Sequence, residues 1–206
     1  MALQRRHGDY VRADGGSAAN EIIVTGGHVG RHVDALAHVS HDGSLYGGVD
    51  AASVQSHEGF RELGIDAFPP YVGRAVVLDV ARTHGVDVLP AGYGVTADDL
   101  QAAADRAGTT VSVGDAVLIG TGWSRRWDER EAFIGAEDGV PGIDPSAAQW
   151  CIDRGVRIAG GETIAFEQIK AGFLTTRGQG GKIARALGPG GPHVRRSKGQ
   201  ACGGLC

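Results

Sequence analysis

Three short apolar, β-branched runs recur between residues 75 and 161, each closed by glycine and separated by segments with helical signals. This alternation restricts the chain to an α/β architecture. The first run is Ala75-Val76-Val77-Leu78-Asp79-Val80, preceded by Gly73 and read as a buried strand. Thr96 is a suitable N-cap for a helix over residues 97–107, because Asp98 and Asp99 favour the positive end of its dipole and Gly108 stops it. Gly114-Asp115 turns the chain into a second strand, Ala116-Val117-Leu118-Ile119, which runs into Gly120-Thr121-Gly122-Trp123. Asp144-Pro145-Ser146 opens another helix, with proline at its first position, passing through Trp150 and Ile152 to Gly155. Val156-Arg157-Ile158-Ala159 is the third strand, closed by Gly160-Gly161.

The chain has 206 residues, enough for one core-bearing domain. Glycine supplies 35 of them, more than twice the ordinary usage of roughly 7%. No apolar run approaches the ~20 residues of a membrane span, which excludes an integral membrane protein of helical type. The start of the chain carries no apolar signal region, and three cysteines make no disulfide framework, so a reducing cytoplasm is the expected location. All 24 acidic residues lie at or before Glu167, and seven of the 20 basic ones follow it. Residues 178–206 contain only Ile183, Leu187, Val194 and Leu205 as large aliphatics and no aromatic residue. Such a stretch buries too little apolar surface to offset its ordering entropy. The folded domain is therefore expected over 1–177, with a disordered, basic, Gly-rich segment over 178–206.

Chemistry concentrates in residues 28–41, which hold four of the eight histidines. His28, His32, Asp34 and His38 form H-x3-H-x-D-x3-H. Imidazole and carboxylate are ligands for zinc, manganese or iron, and a mixed set leaves positions open for water or substrate. On an extended strand, at ~3.3 Å per residue, His28 and Asp34 would be about 20 Å apart. On a helix His28 and His32 would pair, but Asp34 would swing away. A shared ion requires a bent segment, and Gly26, Gly27 and Gly30 give the backbone that freedom. The bland alternative is a His-rich polar loop.

Gly27-His28-Val29-Gly30-Arg31-His32-Val33-Asp34-Ala35-Leu36-Ala37-His38 resembles the H-x-G-T-H-x-D-x-x-x-H signature of the cyclase-like metal-dependent hydrolases. That family includes kynurenine formamidases (arylformamidases), isatin hydrolases and proteins called polyketide cyclases. Asp42-Gly43-Ser44-Leu45-Tyr46, the Gly114–Trp123 strand, Pro141-Gly142-Ile143, the Trp150 helix and Gly161-Glu162-Thr163-Ile164-Ala165-Phe166-Glu167 resemble further family blocks in the same order.

The resemblance implies a compact α/β/α domain on a mixed sheet. It also implies a divalent ion, Zn or Mn, on His28, His32 and Asp34, with His38 as catalytic acid/base. The implied activity is hydrolysis of an amide bond of the N-formylkynurenine or cyclic-amide type, on a small-molecule substrate and in a homodimer or homotetramer. Three departures are visible. Arg31 replaces a small threonine between two ligand positions, the chain before the signature is shorter than in the family, and the family's later His segment and following Glu have only Pro192-His193-Val194-Arg195 as an echo. An inactive remnant with an incomplete metal site is the alternative function these departures suggest.

Other motifs are weaker. Gly120-x-Gly122 lacks the third glycine of a dinucleotide loop, and Gly178–Lys182 is followed by Ile183 where a P-loop needs Ser or Thr. His193, Cys202 and Cys206 are too few for a zinc knuckle. Cys151 reads as core, Trp123 and Trp127 as packing residues before pocket lining, and Glu162 and Glu167 as strand-end or solvent-exposed groups. His41 and His57 read as solvated or structural. The basic segment without aromatic residues gives little reason to expect nucleic-acid binding.

Overall fold

A computed structural model describes residues 2–28, 30–172 and 203–205. The described chain divides into two compact units, Met1–His32 and Val33–Cys206. In the first unit β1 (Ala2–Arg5) and β2 (Asn20–Ile22) pair as an antiparallel hairpin.

The second unit runs β3 (Val33–Asp34), α1 (Ala51–Val54), β4 (Gln55–Ser56), β5 (Gly59–Phe60), β6 (Ala75–Asp79) and α2 (Val80–Thr83). It continues β7 (Gly94–Val95), α3 (Ala97–Arg106), β8 (Ala116–Gly120), α4 (Arg130–Ile134), β9 (Gly139–Val140) and β10 (Gly142–Ile143). The last elements are α5 (Pro145–Asp153), β11 (Ile158–Gly161), β12 (Ile169–Lys170) and β13 (Gly203–Leu205). The central sheet has the order β3-β13-β11-β8-β6. Its strands β13, β11, β8 and β6 are mutually parallel, and β3 runs antiparallel to β13, so the sheet is mixed. Among the described residues no helix is long and apolar enough to cross a membrane.

Local chemistry accounts for the two main helices. Thr96 accepts from the Asp99 backbone N–H, and the Asp99 carboxylate accepts from the Thr96 N–H, a complete capping box. Asp144 accepts from the Ser146 and Ala147 N–H groups at the start of α5, where Pro145 takes the first helical position. Each helix buries one stripe: Leu100, Ala103 and Ala104 on α3, and Ala147, Ala148, Trp150 and Cys151 on α5. These stripes pack on the face of the sheet formed by Val76, Leu78, Val117 and Ile119. On the opposite face of the border strand β6, Val77 is 60% exposed.

Two boundaries differ from the sequence reading. Val80 leaves the first strand because Asp79 caps α2, accepting from the Arg82 N–H at 2.9 Å. The third strand is Ile158–Gly161, since Val156 and Arg157 make the turn, with their N–H groups bonded to Cys151 and Asp115 carbonyls. Of the stretch 178–206, only Gly203–Leu205 lies among the described residues, as β13. The expected disorder of the rest, the Pro192–Arg195 echo and the two last cysteines lie outside them.

Candidate active site

His28 and His32 belong to the first unit, Asp34 and His38 to the second. The segment carrying the two histidines is neither strand nor helix, and Gly30 bends it with φ of 69°. His28 Nδ1 lies 2.9 Å from His32 Nε2, with the rings edge to face. His32 Nδ1 lies 2.8 Å from the Gly30 carbonyl oxygen, which can only accept. The ring therefore carries its proton on Nδ1 when neutral, and Nε2 keeps its lone pair. A backbone carbonyl fixing the second nitrogen in this way is the support that metal-binding imidazoles use. At ligand distances of about 2.0–2.1 Å, two nitrogens this close can share one ion. This pair of donors fits a divalent metal. Arg31, between the two histidines, is exposed.

In the second unit Asp34 sits on β3 and is half-buried. Val33 pairs with Leu205, so β3 begins at the carboxyl edge of the parallel strands. Open α/β sheets bind ligands at that edge. His38 follows Ala37, which is buried against Leu45 and Val54 and donates its N–H to the Leu63 carbonyl. The Asp42–Tyr46 block supplies Leu45 to this small cluster, which holds His38 in place. His38 Nε2 lies 4.0 Å from Asp34 Oδ2.

The other sequence candidates sort clearly. Cys151 is buried in the core. Trp123 is buried and donates its indole N–H to the Phe133 carbonyl, a packing role. Trp127 departs from the packing expectation: it is 67% exposed, touching Phe133 edge-on at 5.2 Å between centroids. It stands just beyond the short 3-10 turn Trp123–Arg126, which carries it away from the core. His41 lies 3.7 Å from Asp42, and His57 is exposed.

Glu162 does more than end a strand. Its carboxylate accepts from the Thr121 N–H at 2.8 Å, the Gly122 N–H, and the Thr121 and Ser124 hydroxyls, joining the ends of β11 and β8. The signal in the sequence was position: Glu162 and Thr121-Gly122 each lie within a few residues of the end of an expected strand.

A second polar cluster went unread. His84 Nε2 lies 2.7 Å from Asp99 Oδ1, and Tyr93 donates to Asp99 Oδ2 at 3.1 Å. Burial pushes the Asp99 carboxyl up, but hydrogen bonds from Thr96, His84 and Tyr93 outweigh it and hold the group below the usual range. The same burial, with the Asp99 charge, pushes the Tyr93 phenol up.

A mixed sheet with α3 and α5 packed on one face, and a His/Asp signature leading into the strand that begins at its carboxyl edge, define an α/β protein. The family model described as "Putative cyclase" matches residues 5–168, and the chain belongs to this Cyclase family. It is similar to a crystal structure of a novel cyclase, at 27% identity and TM-score 0.69, over 82% of this chain and 60% of that one. Similarity to isatin hydrolase A from Ralstonia solanacearum is 28% identity and TM-score 0.54, over 80% and 58%. Isatin hydrolase A from Labrenzia aggregata bound to benzyl benzoate shares the fold, at 22% identity and TM-score 0.51 over 81% and 59%. The chain thus spans about three-fifths of the length of these solved relatives. No curated protein matches it.

Proposed function

We propose that the chain is a metal-dependent hydrolase that cleaves an amide bond, in an N-formylkynurenine-like or a cyclic-amide substrate. His28, His32 and Asp34 would hold the ion, Zn²⁺ or Mn²⁺. The observation that carries this reading is the imidazole pair at 2.9 Å, its second ring fixed by the Gly30 carbonyl, within the His/Asp signature of a Cyclase family member.

A divalent ion at such a site supplies Lewis-acid polarisation of a carbonyl and makes water acidic enough to attack near neutral pH. The residues do the rest. The Gly30 carbonyl keeps His32 in the tautomer that presents Nε2. Asp34 brings the negative charge that balances a cation. His38 takes the proton of the attacking water and returns it to the leaving nitrogen, a transfer for which an imidazole is suited near pH 7. We take a homodimer or homotetramer, which the family resemblance suggests, as the form to test by sedimentation.

The test is titration of the purified chain with Zn²⁺ and Mn²⁺, followed by hydrolysis assays on N-formylkynurenine and isatin. Metal-dependent turnover, reduced about 10²–10⁴-fold in His38→Ala, is the expected result. A chain that binds neither ion refutes the reading. The exposed guanidinium of Arg31 between two ligands favours a second reading, an inactive remnant, and metal binding without turnover is its outcome.

A further inference from the structure

The Glu162–Ser124 pair offers chemistry that the proposed hydrolysis leaves unused. Glu162 Oε1 is taken by the Thr121 and Gly122 N–H groups and the Thr121 hydroxyl, and Oε2 accepts from the Ser124 hydroxyl. A carboxylate has acceptor atoms only, so the single proton of Ser124 is committed to it. Ser124 is exposed, and towards any incoming group its oxygen can only accept. The pair stands at the carboxyl ends of β8 and β11, on the sheet edge where β3 begins. Thr121, which donates to Glu162, also lines a recess of about 10 Å³, room for no more than one water, so an incoming group meets Ser124 at the surface.

We propose that Ser124 is a specificity-determining residue that accepts a hydrogen bond from the N–H of a secondary amide or lactam, and that Glu162 is its positioning residue. This rests on the reading of the chain as an amide hydrolase. An ester or an N-alkylated amide has no donor to offer, and would leave the serine oxygen facing a lone pair or a methyl group.

The experiment compares binding of isatin and N-methylisatin to the metal-free chain by calorimetry. One neutral hydrogen bond predicts isatin tighter by roughly threefold to tenfold. Ser124→Ala brings that ratio close to one, while Ser124→Thr, which keeps the hydroxyl, preserves it. Glu162→Gln also removes the preference. Its oxygen stays on the Thr121 and Gly122 amides and its NH₂ group donates to Ser124, freeing the serine proton. A merely structural carboxylate would weaken both ligands equally. The proposal is overturned if neither ligand binds, or if the ratio survives in Ser124→Ala. A serine-dependent ratio without Mn²⁺-dependent isatin hydrolysis sinks the hydrolase reading and leaves this assignment standing. Hydrolysis with no such ratio does the reverse.

Discussion

Replacing Gly122 by alanine tests how tightly the turn after β8 is built. Gly122 has φ of 75°, a left-handed conformation that costs an L-residue roughly 1–2 kcal/mol. The site is also closed. A Cβ there would lie 2.0 Å from the Asp87 carbonyl oxygen, 2.9 Å from its carbon and 3.0 Å from Val88 Cα. These are backbone atoms, and the same loop is tied back by the Leu89 N–H donating to the Thr121 carbonyl at 2.9 Å. Relief therefore needs a main-chain shift, worth about 2 kcal/mol by analogy with overpacked cores. The total is about 3–4 kcal/mol. Gly108, just past the end of α3, provides the reference: its φ is 61°, but nothing lies within 4 Å of an added Cβ. Gly108→Ala should cost only the backbone part, about 1–2 kcal/mol. Urea unfolding of both variants, with midpoints converted through a common slope, isolates the overlap as the difference. A difference below about 0.5 kcal/mol would show that the turn yields freely and that the reasoning is wrong.

Other outcomes follow from the same contacts. Asp99→Ala should cost about 1–2 kcal/mol at pH 7 through loss of the carboxylate half of the α3 capping box and of its bonds to His84 and Tyr93. Because the Asp99 carboxyl titrates below its ordinary value when folded, its contribution is complete above about pH 4 and lost as pH falls through the folded pKa. The acid limb of a stability–pH curve should therefore flatten in Asp99→Asn. Leu100→Ala, in the centre of the core, should lower stability by about 3 kcal/mol in denaturant titration. His28→Ala should weaken Mn²⁺ binding in calorimetry by about tenfold or more, and an unchanged affinity would remove this residue from the ligand set.

Much of the sheet and helix framework could be read from residue order because it depends on local chemistry. Thr96 and Asp144 cap where their side chains predict, and Gly108 and Gly155 stop the helices as left-handed residues. What escaped reading depends on distant pairing or on competition between neighbours. The two-residue strands β7 and β10 pair with each other across 48 residues of chain, and Ile143 of β10 also bridges to Glu167. Asp79 serves as strand residue and helix cap at once, and no hydrophobic period shows which use prevails. At the candidate site, spacing alone showed that a straight segment fails, and the bend at Gly30 brings His28 and His32 together. Glu162 was legible as a strand-end carboxylate, but its four donors come from residues some 40 positions earlier.

Every buried member of the main apolar cluster falls between Val76 and Ala159. Among the described residues 28–38 only Ala37 is buried, in the smaller cluster with Leu45 and Val54, so the reactive side chains around it can vary with little loss of packing. Changes of ligand type or spacing there are open to selection at little thermodynamic risk, and the same architecture can be retuned to new chemistry one short segment at a time.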